Sequence, residues 1–256
     1  MTNENKCILA GRCKLAGGPK CNDQCASYIA MMGRSGKGGR VGAAGLPSDY
    51  KLVTLSNSPA RTEQVEVYRA IDAYVKTFER QFDEGAERIK SLYFHSKEPG
   101  TGKTTSACAV LNTYLTAHYT GSLRRGKQPL QRPAFFLSVN ALQQLHNKTH
   151  MPASLQTKEK LGEELLREIE RAKTTPFVVL DDLAVRKATT SFLGIIYDIC
   201  DYRTTEKLPT IYTSNKSPID LREFFYEEDP EGKVVDRITD MAGVLAFSGK
   251  SKRGRR

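Results

Sequence analysis

The 256-residue sequence has no long apolar run, no tryptophan and only four histidines. Its most apolar stretches, around Val178 and Ile195, are far shorter than the ~18 residues that a membrane span requires, and the N-terminus has no apolar signal core. We therefore expect a cytoplasmic protein with no membrane partner. In that compartment the six cysteines are expected to be thiols or metal ligands and not a disulfide framework.

Acidic residues are absent from residues 101–150, a block that contains six basic ones. Most of the remaining positive charge lies in the first 50 residues and in the tail 250–256, and the net charge of the chain is +10. Such segments usually contact phosphate groups of nucleic acid or nucleotide, although a basic tail can also be solvated disorder. The charge distribution thus favours a nucleic-acid partner.

Composition divides the chain into four parts. Four cysteines fall within the first 25 residues, and a glycine-rich stretch follows from Gly33 to Gly45. Glycine resists ordering because it lacks a Cβ atom, so this stretch is expected to be flexible. We expect a cysteine-rich module at 1–32, a linker at 33–46, the main domain at 47–249 and a basic tail at 250–256.

Beyond residue 46, short apolar runs alternate with segments of helical periodicity. The strand-like runs are 91–96, 134–139, 177–181, 210–214 and 244–247. The helical segments are 62–82, 103–118, 158–171 and 190–203. Continuously apolar strands that alternate with helices are typical of a parallel sheet covered on both faces, which predicts an α/β fold.

A glycine-rich segment from Lys97 to Thr104 lies between the first strand-like run and a helix. It matches the P-loop pattern G-x-x-x-x-G-K-[ST], except that Lys97 replaces the first glycine. Lys103 is expected to reach the β and γ phosphates of ATP, and the Thr104 hydroxyl to ligate Mg²⁺. If the first position requires a positive φ, Lys97 would cost on the order of 1 kcal/mol, so the turn is expected to be shaped differently. The predicted nucleotide-binding residues are Pro99, Gly100, Thr101, Gly102, Lys103, Thr104 and Thr105.

Polar residues end the two following apolar strands. Asp181 and Asp182 close the run that starts at Phe177, and Asn215 follows the run that starts at Thr210. Asp181 is expected to hold Mg²⁺, while Asp182 orients or deprotonates the attacking water. Asn215 can touch the γ-phosphate and the water, or it can simply cap a turn. Because Asp is shorter than Glu, we expect hydrolysis slower than the ~10 s⁻¹ median of enzymes.

These motifs together resemble the AAA+ ATPases that load replicative helicases, the DnaC/DnaI-like group, and the related IstB-type transposition ATPases. The resemblance covers residues 47–250. It implies that Asn215 is the first sensor and that Arg237, in Val234–Ile238, is an arginine finger acting on ATP held by a neighbouring subunit; a surface ion pair is the alternative for Arg237. Arg203 is a weaker candidate for the interface. We expect no lid domain after Phe247, as in the loaders, and Lys252 and Arg253 are speculative substitutes for its second sensor.

The N-terminal cysteines Cys7, Cys13, Cys21 and Cys25 supply four soft ligands within a segment too short to bury a core. Zn²⁺ would order such a segment, although the spacing has no paired C-x-x-C, and an iron–sulfur cluster or free thiols stay open. Cysteine-rich modules that contact the helicase occur in loaders of Gram-positive bacteria and their phages, which favours zinc. Cys108 and Cys200 fall in apolar helical patterns and are expected to be core residues.

The basic loop, residues 124–132, is either a surface that tracks single-stranded DNA or a solvated connection. His146, Lys148 and His150 fall in the region after the second strand, where loader-like proteins place DNA contacts. The four histidines have no metal-like spacing.

The resemblance implies an ATP-dependent loader that self-associates, binds single-stranded DNA and delivers a hexameric replicative helicase. One alternative is an IstB-like ATPase that recruits a transposase. Another is a zinc-bearing adaptor that binds nucleotide with little turnover, which the departure at Lys97 would favour.

Overall fold

A computed structural model describes residues 2–184, 186–227, 229–239 and 242–249. The chain divides into two compact units, one formed by residues 1–87 and 105–136 and the other by residues 88–104 and 137–256. The helices are α1 (Ala26–Met32), α2 (Gly39–Ala43), α3 (Val65–Val75), α4 (Lys103–Arg124), α5 (Val139–Thr149), α6 (Leu155–Thr174), α7 (Thr190–Thr205), α8 (Pro218–Phe224) and α9 (Lys233–Thr239). The strands are β1 (Ser91–His95), β2 (Ala134–Ser138), β3 (Phe177–Leu183), β4 (Thr210–Ser214) and β5 (Ala242–Ala246).

The five strands form one sheet in the order β2-β3-β4-β1-β5. The pairs β1–β4, β1–β5 and β3–β4 are parallel. Phe177, Val178, Val179 and Leu180 are completely buried, as expected for a central strand of a parallel sheet. The predicted α/β class with a parallel sheet and helices is therefore confirmed.

Side-chain caps define the starts of several helices in the second unit. Ser154 accepts a hydrogen bond from the Thr157 amide at the start of α6, and Thr189 accepts one from the Phe192 amide at the start of α7. Helix α8 begins with a capping box in which Ser217 and Asp220 satisfy each other's backbone amides. These caps fix the residue at which each helix begins.

Arg203 is fully buried and has a structural role. Its guanidinium donates hydrogen bonds to the backbone carbonyls of Ala172, Lys173, Thr175 and Pro209 and to the Thr210 hydroxyl, at 2.7 to 3.1 Å. These bonds join the end of α6 to the start of β4. The interface role proposed for Arg203 is wrong, because a side chain with no exposed surface cannot meet a neighbouring subunit.

In the first unit, α3 and α4 pack through aromatic rings. Phe78, just after α3, makes edge contacts with Tyr74 and Tyr114, with ring centroids 5.4 and 5.2 Å apart. The Asn112 amide on α4 donates to the carbonyls of Tyr50 and Val53 at 2.9 and 2.8 Å. The segment before α3 is thereby fastened to this unit.

The segment 33–46, expected to be a flexible linker, is packed in the structure. Helix α2 lies within it, and Val41 and Ala44 are completely buried. Gly33 and Gly39 have φ values of 72° and 59°, and a Cβ on Gly39 would lie 2.5 Å from the Met31 carbonyl carbon. The glycines here permit a close approach of α1 and α2, and their lack of side chains is used for packing.

No helix within the described residues is long and apolar enough to cross a lipid bilayer. The basic tail 250–256, with Lys252 and Arg253, lies outside the described residues.

Candidate nucleotide site

The candidate P-loop connects β1 to α4 at the carboxyl edge of the sheet. Gly100 and Gly102 both have positive φ, 75° and 100°, which glycine adopts without steric cost. Among the described non-glycine residues, positive φ occurs only at Asp182, Ala184 and Lys207, so Lys97 is accommodated without a left-handed backbone. The turn therefore incorporates Lys97 without the strain that its replacement of glycine suggested.

Lys103 is the first residue of α4 and is 6% exposed. Its ammonium lies 3.4 Å from the Glu98 carbonyl oxygen, so the side chain folds back over the loop. The N-terminal amides of α4 point to the same place, and a helix N-terminus favours anions. Thr101 and Thr105 are also buried, while Pro99 is exposed at the rim.

Asp181 lies almost completely buried near the end of β3. Its carboxylate accepts a hydrogen bond from the Thr213 hydroxyl at 2.7 Å. Burial, and then the neighbouring Asp182, raise the pKa of Asp181 to about 6, whereas hydrogen bonds from Thr213 and Thr104 and the charge of Lys103 oppose the rise. The P-loop residues Lys103 and Thr104 thus lie beside Asp181, as a shared Mg²⁺–phosphate site requires.

Asp182 has a left-handed backbone, with φ of 61°, and its amide donates to the Thr213 hydroxyl at 2.9 Å. The register between β3 and β4 shifts between Leu180 and Leu183. Such irregularities re-aim side chains next to functional sites. Here the irregularity separates the buried Asp181 from the partly exposed Asp182.

Thr213 joins the two aspartates, a role that no motif in the sequence predicts. One hydroxyl donates to the Asp181 carboxylate and accepts from the Asp182 amide. The available signal was the pair of polar residues Thr213 and Ser214 at the end of β4, and both are completely buried. Buried polar side chains need partners, and the neighbouring strand carries them.

Asn215 follows β4 and lines an open cavity of about 420 Å³ at the same edge of the sheet. Lys97, Lys216 and Asp220 line this cavity as well. Hydrogen bonds from Ser217 hold the pKa of Asp220 below its usual value, and Lys97 and Lys216 contribute in the same direction. The structure therefore brings the candidate sensor Asn215 next to Lys97, the unusual first residue of the P-loop.

Arg237 lies at the opposite end of the strands. It lines a small cavity with Ser91, the first residue of β1, and Leu208, which precedes β4, whereas the P-loop follows the last residue of β1. Its Nε atom is 2.8 Å from a carboxylate oxygen of Asp201 on α7. Five residues of strand span about 13 Å, so Arg237 is too far from the P-loop of its own chain to contact the same phosphate.

The four N-terminal cysteines line one small cavity in the first unit. Burial raises the pKa of the Cys7 thiol, and the charges of Cys25, Cys13 and Cys21 raise it further. No three His, Cys, Asp or Glu side chains in the described ranges are arranged to hold a metal ion. The soft donor set suits zinc, but the structure does not show a zinc site. Cys108 and Cys200 are buried, as expected for core residues.

The basic loop belongs to the first unit and is held at one end. The buried Arg40 guanidinium donates to the carbonyls of Leu130 and Pro129 at 2.8 and 2.9 Å. His118 accepts the Leu130 amide at Nε2, 3.1 Å away, and Nδ1 lies 2.8 Å from the Gln81 side-chain oxygen. Arg124, Lys127 and the other loop residues, apart from buried Pro129, remain exposed.

The chain is similar to known helicase loaders in sequence and in fold. No protein-family model matches the chain. The replicative helicase loader DnaI of Bacillus subtilis (strain 168) is 26% identical over 192 residues, which cover 72% of this chain and 54% of DnaI. The chain thus spans about half the length of this relative.

Two solved structures share the fold. A crystal structure of DnaI has a TM-score of 0.54 and 21% identity, and the match covers 79% of this chain and 95% of that one. A crystal structure of the DnaC helicase loader has a TM-score of 0.51 and 20% identity, with 79% and 100% covered. Together with the sequence match, these likenesses confirm the resemblance to the DnaC/DnaI-like AAA+ loaders.

Proposed function

We propose that this chain is an ATP-dependent loader of the replicative helicase in DNA replication. The observation that carries the proposal is the convergence of Lys103, Thr104 and Asp181 at one edge of the sheet. The similarity in sequence and fold to helicase loaders supports the same function.

In the proposed reaction, Thr104 and Asp181 would hold Mg²⁺, which would neutralise charge on the phosphates of ATP. Lys103 and the backbone amides of the P-loop bind the β and γ phosphates. Asp182, partly exposed and set apart from Asp181 by the left-handed backbone, orients or deprotonates the attacking water. Asn215 contacts the γ-phosphate and the water. Hydrolysis is slow, since the shorter Asp182 replaces a glutamate as the water-orienting carboxylate.

Self-association completes the proposed site, with Arg237 acting on ATP that a neighbouring copy holds. Its place beside the start of β1 supports this assignment, because the arginine is at the wrong end of the sheet for its own P-loop. The exposed basic loop supports a role in binding single-stranded DNA, whose phosphates it would contact without base preference.

The cysteine-rich module is proposed to bind one Zn²⁺ through Cys7, Cys13, Cys21 and Cys25 and to contact the helicase. The common cavity of the four thiols supports a shared ligand. Elemental analysis of the purified chain should give about one zinc per chain, lost in Cys13→Ser but retained in Cys108→Ser. Iron in place of zinc, or no metal in the wild type, would remove zinc from the proposal.

Loading itself is tested on circular single-stranded DNA, onto which a closed ring helicase does not thread. With ATP, the wild-type chain should increase the amount of hexameric helicase that co-elutes with the circles in gel filtration. Lys103→Ala should abolish the increase, and Lys76→Ala, at an exposed lysine in the first unit, serves as a charge-matched control outside the nucleotide site. Equal helicase on the circles with and without the chain would contradict the proposed function.

A further inference from the structure

The small cavity beside the start of β1 has a cationic rim in the second unit. Arg88, Lys207 and Arg237 all line it, and no acidic side chain is among the described residues that do so. The cavity measures only about 10 Å³, room for about one water molecule. It therefore cannot enclose a ligand, but its rim can receive phosphate that another molecule presents.

The fourth cation in this cavity does not belong to the rim. Arg203 also lines it, but its guanidinium is fully buried and donates to four backbone carbonyls and the Thr210 hydroxyl. Because Arg203 is used in these structural bonds, the cations that can contact an external ligand are Arg88, Lys207 and Arg237. Asp201, 2.8 Å from Arg237 Nε, orients that guanidinium from the side of α7.

Lys207 has an unusual backbone for its residue type. Its φ of 56° lies in the left-handed region just past the end of α7, a position that glycine or asparagine usually takes. The Leu208 amide donates to the Arg203 carbonyl at 2.8 Å and fixes this turn. A lysine at a strained position, with its side chain on a cationic rim, indicates that the ammonium group has a function there.

We propose that Arg88, Lys207 and Arg237 together form the phosphate-binding half-site that one copy of this chain offers to the ATP held by the P-loop of a second copy. The inference rests on the proposed function, since it extends the role of Arg237 in trans to two further residues and to a defined surface. Three cations around one triphosphate neutralise charge that develops during phosphoryl transfer. Asp201 is a positioning residue for Arg237.

The first test compares replacements of Lys207. Lys207→Gly and Lys207→Asn remove the charge and tolerate the left-handed backbone, whereas Lys207→Arg keeps the charge. We expect the first two to lower the kcat of ATP hydrolysis at least about tenfold, with a melting temperature equal to or above that of the wild type, and Lys207→Arg to retain most activity. Unchanged kcat in Lys207→Gly would overturn the role of Lys207.

The second test mixes two inactive variants. Asp182→Asn keeps its cationic rim but does not hydrolyse ATP, so a 1:1 mixture with Arg237→Ala should regain ATPase activity at mixed interfaces. Mixtures of Asp182→Asn with Lys207→Gly or with Arg88→Gln should regain it equally. Recovery with Arg237→Ala alone would overturn the three-residue half-site and leave the proposed role of Arg237 intact. No recovery in any mixture would contradict the role of Arg237 in trans as well.

Discussion

At the residue scale, the candidate site depends on Thr213, which contacts both of the adjacent residues Asp181 and Asp182. Thr213 donates to Asp181 and accepts from the amide of Asp182, so it stabilises the charge of the first and fixes the backbone of the second. A buried carboxylate is costly unless such a bond compensates it. Burial raises the pKa of Asp181 to about 6 even with the hydrogen bond from Thr213, so this bond offsets only part of the cost of burial.

Thr213→Val should separate binding from turnover. Valine keeps the shape and removes the hydroxyl, so we expect kcat to fall by about ten- to a hundredfold, the value of a hydrogen bond to a charged group. The dissociation constant for a fluorescent ATP analogue should change far less. Thr213→Ser, which retains the hydroxyl, should keep activity; equal kcat for the valine and serine variants would contradict the role of this bond.

Arg203 and Arg237 were both candidates for the subunit interface in the sequence, but replacement by methionine should change the free energy of unfolding very differently at the two positions. Arg203→Met leaves four carbonyls without their donor and should lower the free energy of unfolding by about 3–5 kcal/mol. Arg237→Met breaks one half-exposed ion pair and should cost less than about 1 kcal/mol. Urea denaturation measures both, and similar losses for the two variants would refute the assignment.

At the scale of elements, the parallel sheet and its helices were predictable because continuous apolar runs and 3.6-residue periodicity are local signals. The runs predicted near Ser91, Ala134, Phe177 and Thr210 are all strands. The packing of 33–46 was not predictable, because glycine composition indicates flexibility and close approach equally well. Only the partners in space, such as the Met31 backbone beside Gly39, distinguish the two.

Gly39→Ala tests that packing. Its Cβ would overlap the Met31 backbone, and φ of 59° is strained for alanine, so we expect a loss of about 1–3 kcal/mol and faster trypsin cleavage at Arg34 and Lys37. Gly162→Ala is the control, since no atom lies within 4 Å of its added Cβ in helix α6 and the change should stabilise by about 0.5–1 kcal/mol. Unaltered cleavage and stability in Gly39→Ala would favour an open linker.

The connection between α4 and β2 should respond to pH through His118. Burial, and then Arg40, lower the pKa of His118 to about 4, below its ordinary 6.5. Between these values the folded chain binds fewer protons than the unfolded chain, so this contribution to stability is complete above pH 6.5 and is lost as pH falls towards 4. The full loss is on the order of 3–4 kcal/mol.

The expected result is a free energy of unfolding that falls between pH 6.5 and 4.5 more steeply in the wild type than in His118→Gln. His150→Gln, at an exposed histidine, is the matched control and should keep the wild-type slope. The same slope in His118→Gln and the wild type would show that protonation of His118 does not limit stability.

At the scale of the whole molecule, the motifs predict which residues bind or act on ATP. They do not predict at which end of the sheet each residue lies. Asp181 lies near the end of β3, and Lys103 and Asn215 come after the ends of β1 and β4, so the strand order puts all three at the carboxyl edge. Arg237 precedes β5 and lies beside the start of β1, a position that depends on the packing of α9 against α7. Under the proposed function, one copy carries two halves of different ATP sites, and a complete site needs two copies.

We propose that nucleotide controls the association of this chain with a ring helicase. Native mass spectrometry of the chain mixed with the hexameric replicative helicase, in ATP and then in ADP, tests it most directly. We predict a complex whose stoichiometry differs between the two nucleotides, and no such difference for Lys103→Ala. If the chain is folded and binds ATP but forms no complex in either nucleotide, the proposed association with the helicase is contradicted.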